Sequence, residues 1–488
     1  MRLLLVALCG AFGALGQAPY DQPAALLLAL VAGFVLWREG SAPAWTGWAF
    51  GTGYFALALV WIIEPFQVDV ARHGWMAPFA LLFLSTGLAL FWGGAFWVAR
   101  KLNAGPLGLA LTWTMAELLR AYVFTGFPWA SPAQVMIDGR ASALLAWMGP
   151  HGATLCLMLL AASIAMPTRD ALAPKVAKGV LLVAGLATLY LPDSRPTAAT
   201  TGQWVRLVQP NAAQHLKWRP EFAQTFLQRQ LDATRAPARL PEQRPDLIVW
   251  PETSIPWALE TAGPVLTDIA QAAGGVPVAL GALRFEGEAL RNSVVVLDPQ
   301  GAVTALYDKH HLVPFGEYMP LGAWAKALGL EALAATMGGF SAGPGPRLLD
   351  LGALGKAVPL VCYEAVFAHD VNAVPGRADF LLQLTNDAWF GDYAGPQQHL
   401  AQARMRAIEQ GLPMMRAANT GISAMIDPYG RVLASLGLGQ AGFIDAPLPA
   451  PLAPTLYSRW GDLPVILILV LAAAAAFWQL RDFTRVRN

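Results

Sequence analysis

Three side chains with the makings of an acyl-transfer site each stand at the end of a short apolar run. Glu252 follows "LIVWP", Lys309 follows "TALYD" and Cys362 follows "PLV". A cysteine needs a base or a cation to become a nucleophile. A glutamate in a partly apolar site has a raised pKa and can take the thiol proton. A lysine beside them favours the thiolate and can stabilise the oxyanion of a tetrahedral intermediate, helped by the backbone N–H of Tyr363. From spacing alone this trio is a weak signal, because three such residues over about 110 positions often arise by chance. Taken singly, Cys362 reads as a buried structural thiol, Glu252 as a helix-capping carboxylate and Lys309 as a solvated surface lysine. His310 and His311 invite a metal reading, but adjacent strand residues point to opposite faces and make poor co-ligands. His399 reads as a residue of a helix face. The three cysteines, Cys9, Cys156 and Cys362, form neither a disulfide framework nor a zinc pattern. No metal or cofactor is expected.

The elements that must carry these residues lie in a polar region, about 200–458. Candidate strands are "WVRLVQPN", "DLIVWPE", "VPVALGALRF", "NSVVVLDPQG", "AVTALYDK", "AVPLVCYE", "DFLLQLTND" and "ISAMIDPYG". Amphipathic helices are expected at about 219–235 and 397–411, and "DPQG" reads as a hairpin turn. Many strands and few long helices point to a layered α/β or α+β domain.

The rest of the chain is of another kind. Of 488 residues, 56% are hydrophobic and 13% charged, against roughly 25% charged in soluble chains. Much of the chain must therefore lie in lipid. A net charge of +1 argues against a broad nucleic-acid surface. Seven apolar runs, about 3–18, 22–37, 44–63, 76–98, 105–124, 142–166 and 177–192, precede the polar region, and an eighth, about 463–480, follows it. The domain plan is 1–195 as a seven-helix bundle, 200–458 as the polar domain and 459–488 as a last helix with its tail. Arg2, Arg38, Arg100, Lys101, Arg169, Lys175, Lys178, Arg481, Arg485 and Arg487 fall in the N-terminus, alternate loops and the C-terminal tail. The positive-inside rule then makes both termini cytoplasmic and the polar domain external. A cleaved signal peptide at the N-terminus is the rival reading, and it leaves that domain outside as well. Glu117 and Arg120, three apart on one helix face, read as a structural ion pair or, alternatively, as a substrate contact. "GFPW", Gly126–Trp129, ends that helix at the outer surface.

The ordered set "WPET", "KHHLVPFGEYMP", "CYE" and "LTNDAWFG" resembles the nitrilase/carbon–nitrogen hydrolase superfamily. With the apolar helices around it, the chain is similar over nearly its whole length to the apolipoprotein N-acyltransferases. That resemblance implies an α-β-β-α sandwich joined to eight transmembrane helices. It makes Glu252 the general base, Cys362 the nucleophile and Lys309 the oxyanion-stabilising cation. Glu317 would position the lysine and the base. Tyr363, Glu364 and Trp389 would shape the pocket, and Trp218 would stand near a lipid entrance. Trp129 of "GFPW" is taken with Trp218 and Trp389 as substrate-facing. The implied reaction moves an acyl chain from a phospholipid, typically phosphatidylethanolamine, through a Cys362 thioester to the free amine of a diacylglyceryl-cysteine lipoprotein. The setting implied is the bacterial inner membrane, with a periplasmic catalytic domain and a monomeric enzyme. Residues 321–340 are mostly apolar and read either as a lipid-dipping arm or as a core helix. "SAGPG" just after them lacks charge, so no headgroup contact is assigned there. A membrane-tethered amidase and an inactive scaffold or transporter are the rival functions.

Overall fold

The computed structural model describes residues 1–167, 172–320 and 339–486, with side chains to 475. The expected arm at 321–340 falls almost entirely outside the described residues, as does Arg169. By internal packing the chain divides into two compact units, Met1–Pro196 with Tyr393–Glu409 and Pro454–Asn488, and Thr197–Asp392 with Gln410–Ala453.

The first unit is helical. Helices occupy all eight apolar segments: Arg2–Ala14, Pro23–Glu39, Pro43–Ala58, Ala77–Lys101, Gly105–Tyr122, Ala143–Ala165, Leu172–Tyr190 and Leu463–Val486. Among the described residues, three stretches are long and apolar enough to cross a membrane: Val70–Lys101, Arg140–Ala165 and Leu172–Tyr190. A fourth is the pair Pro43–Ala58 and Val60–Gln67, if the 48° bend between them lies within one span. The 13 residues of Arg2–Ala14 reach only about 20 Å, short of the ~30 Å hydrocarbon layer. The chain is thus a membrane protein with a bundle of apolar helices, and helix length does not extend that to eight full crossings.

Small residues and buried polar pairs hold this bundle. A Cβ on Gly53 would lie 1.8 Å from the Ala7 carbonyl oxygen, and one on Gly10 would lie 1.9 Å from that of Phe50. The Arg2–Ala14 and Pro43–Ala58 helices therefore touch backbone to backbone, as glycine permits in membranes. Arg120 meets Glu117 at 2.6 Å, and Trp92 donates to the same carboxylate at 2.7 Å. Arg120 also donates to the carbonyl oxygens of Phe127 and, at 2.8 Å, Trp129. The pair thus pins the "GFPW" turn within the bundle.

The second unit holds two six-stranded sheets among the described residues. The strands are β1 (Thr200–Gln209), β2 (Leu247–Val249), β3 (Val278–Glu286), β4 (Ala289–Leu297), β5 (Val303–Asp308), β6 (Leu349–Asp350), β7 (Lys356–Val361), β8 (Phe380–Thr385), β9 (Met414–Ala418), β10 (Ser423–Ile426), β11 (Val432–Leu436) and β12 (Gly442–Pro449). Their orders are β12-β1-β2-β3-β4-β5 and β11-β10-β9-β8-β7-β6. Strands β1–β3 pair in parallel, as do β7–β9, and the remaining pairs are antiparallel. Period-two alternation sorts the side chains. Val205, Leu207, Val249 and Val294 join Val361, Leu382, Leu384 and Met415 in one core between the sheets. Val208, Ile248, Leu280 and Val295 face Leu227, Leu231 and Ile269 of the Pro220–Arg235 and Gly263–Ala273 helices. The "DPQG" turn links β4 to β5, with Gly301 at φ 86° and Asp298 accepting from the N–H of Gln300 and Ala302. This nitrilase-like sheet pair is the expected sandwich core, with helices on one outer face. The expected second helix, here Gly395–Gln410, groups by packing largely with the helical unit.

Candidate active site

The three residues sit at or just past strand ends of the second unit. Glu252 comes three residues after β2, Lys309 one after β5 and Cys362 one after β7. All three are buried. Cys362 has φ 50° and starts a short 3-10 helix, Cys362–Val366. Thr253, Asn211 and Phe315, near the other site residues, also have positive φ, at 46°, 51° and 63°. Non-glycine residues rarely adopt this region, and they do so where surrounding contacts over-determine it.

Lys309 Nζ lies 2.8 Å from Glu317 Oε1 and 3.8 Å from Glu252 Oε1. Burial alone would lower its pKa; Glu317 and then Glu252 outweigh that and hold it well above the ordinary lysine value. Lys309 is therefore an ammonium. Glu317 is itself fixed, its second oxygen accepting from Val313 N–H at 2.7 Å. Asn292 donates to Glu252 Oε1 at 2.7 Å, which aims the carboxylate. Both charges act on the sulfur electrostatically. Burial pushes the Cys362 thiol well up, the Glu252 charge adds to this, and Lys309 opposes it. At rest the site holds a neutral thiol beside a carboxylate and an ammonium.

Glu364, two residues beyond the cysteine, is fully buried and is turned to other work. One oxygen accepts from Tyr307 Oη at 2.7 Å, His310 N–H at 2.8 Å and His311 N–H at 3.2 Å. The other accepts from Val361 N–H at 2.7 Å. The end of β5 and the end of β7, in different sheets, are thereby tied together. Tyr363 packs edge-on to Phe367 and His311. His310 and His311 are engaged with Glu364 and Asp370, at 2.6 Å and 2.7 Å from Nδ1.

The expected substrate-facing tryptophans differ in exposure. Trp218 and Trp389 are exposed at 45% and 41%, while Trp129 is wholly buried in the helical unit and donates to Gln398 at 2.7 Å. Sequence reasoning missed several residues that hold the site. Lys217 donates to the Glu252 carbonyl oxygen and Thr253 Oγ1. Arg416 pairs with Asp387 at 2.5 Å and donates to Gln383, which reaches the Cys362 carbonyl. The "NS" of "RNSVVV" and the lysine of "LKW" were the available signals, and neither looks unusual without the fold.

Comparison with known proteins gives the family. Residues 205–454 match the carbon-nitrogen hydrolase family model, and residues 9–163 match the apolipoprotein N-acyltransferase N-terminal domain. An apolipoprotein N-acyltransferase of Rhodopseudomonas palustris is 35% identical over 96% of this chain and 94% of its own. One from Bradyrhizobium diazoefficiens is 36% identical over 97% and 94%. Among solved structures, an amidase from Nesterenkonia sp. is 22% identical, with a TM-score of 0.38, covering 53% of this chain and 94% of that one. The chain belongs to the apolipoprotein N-acyltransferase family.

Proposed function

We propose that this protein transfers an acyl chain from a membrane phospholipid, through a thioester on Cys362, to the N-terminal amine of a diacylglyceryl-cysteine lipoprotein. The observation that carries the residue assignment is the buried cluster in which Lys309 bridges Glu317 and Glu252 and both Lys309 and Glu252 act on Cys362. Glu252 takes the thiol proton as Sγ attacks the ester carbonyl. Lys309 and the Tyr363 N–H meet the negative oxygen of the tetrahedral intermediate. The attack forms the Sγ–C bond, collapse of the intermediate restores the carbonyl and breaks the ester C–O bond, and Glu252 returns the proton to the leaving lysophospholipid alkoxide. The lipoprotein amine then attacks the thioester. Glu252 accepts an amine proton, the amide C–N bond forms, and the sulfur leaves and is reprotonated. Because burial keeps the sulfur a thiol at rest, the nucleophile is generated only as the proton moves.

In this reading Glu317 holds Lys309, Tyr363 and Glu364 set the cysteine turn, and the exposed Trp218 and Trp389 form the apolar rim for the acyl chain. Trp129 contributes by fixing the "GFPW" turn. The donor is phosphatidylethanolamine, and the protein works as a monomer. The eight helices cross the bacterial inner membrane with the 200–458 region in the periplasm, supported by the loop lysines and arginines.

The test is mass spectrometry of the purified protein after incubation with labelled phosphatidylethanolamine. A Cys362 acyl adduct that an N-terminal diacylglyceryl-cysteine peptide discharges is the expected result. Ammonia release from small amides without any acyl adduct would replace this reading with hydrolysis. Cys362→Ala should abolish adduct and product together.

A further inference from the structure

The fold buries a second lysine beside the proposed catalytic cluster. Lys217 ends the short Gln214–Lys217 helix and is buried, while its neighbour Trp218 is exposed. Its Nζ donates to the Glu252 carbonyl oxygen at 3.1 Å and to Thr253 Oγ1 at 2.7 Å. Both acceptors are neutral. Burying an ammonium on neutral partners is costly, because the ion gives up its hydration without gaining a counter-charge. A surface lysine would do for packing, so the cost calls for a compensating charge.

The surroundings supply it. Lys309 already faces two carboxylates, Glu317 at 2.8 Å and Glu252 at 3.8 Å. A sulfur anion or a tetrahedral oxyanion would make three negative groups on one ammonium. Glu252 and, once ionised, Cys362 are also the groups whose charges act on Lys217. With Lys217 counted, two ammoniums balance two carboxylates before the reaction begins. Burial pulls the Lys217 pKa down to about 8, and the Glu252 charge, joined by that of Cys362 once ionised, partly offsets this.

Its position is held from the other sheet. Asn386 donates to Gln214 Oε1 at 2.8 Å, and Asn419 exchanges bonds with the Ala212 backbone at 2.9 Å and 2.7 Å. Lys217 grips the Glu252 carbonyl oxygen and the hydroxyl of Thr253, a residue with a left-handed φ of 46°.

Resting on the reading of Cys362, Glu252 and Lys309 given above, we infer that Lys217 is a positioning residue of the acyl-transfer site: it clamps the Glu252–Thr253 turn and provides the second positive charge that offsets the anion formed at Cys362.

The test uses the full-length protein with Lys217→Gln, which keeps an N–H donor and removes the charge, and Lys217→Arg, which keeps the charge. Two rates are followed across the neutral to alkaline range, Cys362 alkylation by iodoacetamide and Cys362 acylation by labelled phospholipid. Lys217→Gln should displace the alkylation profile to higher pH and slow acylation about tenfold or more, the scale of one pKa unit. Lys217→Arg should recover part of both. If Lys217→Gln leaves the alkylation profile in place, the inference is wrong, whether acylation is normal or lost. Cys362→Ala separates the two levels. Acylation surviving in Cys362→Ala overturns the active-site reading itself. Its loss there, with an unmoved profile in Lys217→Gln, overturns the role of Lys217 alone.

Discussion

A carboxylate two residues from a nucleophilic sulfur should suppress the thiolate, yet Glu364 is directed at three backbone N–H groups and a phenol instead. Its charge is consumed in joining two sheets, which leaves Glu252 for the part of base in the proposed reaction. The same knot sets a pH dependence. Burial would lower the pKa of His310, but Asp370 and then Glu364 hold it up at about 9. Asp370 is raised by burial, and the hydrogen bonds of His310 and His311 overcome this to hold it well below the usual carboxylate range; His369 lies 3.4 Å from it as well. The two shifts act in different windows. The raised His310 pKa contributes stability that is complete below its free value of about 6.5 and is lost as pH rises through the folded value. The depressed Asp370 pKa contributes stability that is complete above about 4 and is lost as pH falls. The cluster therefore stabilises most between those limits. His310→Asn should flatten the decline in Tm between mildly acid and alkaline pH. Equal slopes for the two proteins would show that the histidine does not carry that limb.

At the scale of elements, strand ends explain why the site was legible. Glu252, Lys309 and Cys362 were readable because each closes an apolar run in a motif. Their supports were not, because Lys217 and Gln383 act on main-chain atoms of residues far away in sequence. Strands β6, β9, β11 and β12 were not among those expected, and for β9 burial is the reason. "MMRAA" of β9 is wholly buried and carries an arginine, so it shows no alternation; Arg416 is paid for by Asp387 and Gln383. Gly281 is another hidden support. It lies on β3 alongside residues 251–254, with its N–H on the Pro251 carbonyl at 3.1 Å and its carbonyl accepting from Ser254. A Cβ there would stand 2.5 Å from Thr253 N, 2.6 Å from Glu252 Cα and 2.7 Å from Pro251 O. All three are backbone atoms, so no rotamer change relieves the clash. Gly281→Ala should cost about 1–3 kcal/mol of stability, the usual range for overpacking. Acylation should fall by more than that loss explains, since the displaced atoms belong to the proposed base. Denaturation and single-turnover acylation measured together check this, and an unimpaired acylation rate would refute it.

At the scale of the whole molecule, the helical unit is assembled from stretches that lie before, within and after the chain of the catalytic unit. The apolar runs made its helices legible, but nothing in an apolar run reveals what secures the last one. Asp462, just ahead of the Leu463–Val486 helix, does so. Its carboxylate meets His151 Nδ1 at 2.9 Å and accepts from Tyr122 Oη at 2.8 Å, which joins three helices at one point. Val465 and Leu469 then pack against Leu118. Tyr457, five residues earlier, lies against Gly149, where a Cβ would come within 2.1 Å of its ring. Removing one member of a buried pair strands the other, at a cost of about 3–5 kcal/mol. Asp462→Ala should therefore destabilise the protein by roughly that amount, while His151→Ala added to it should cost little more, because the partner is already lost. Residues in contact give such non-additive cycles, and distant ones do not. Unfolding measured for the two single variants and the double variant decides it. Simple additivity would mean that Asp462 and His151 act separately.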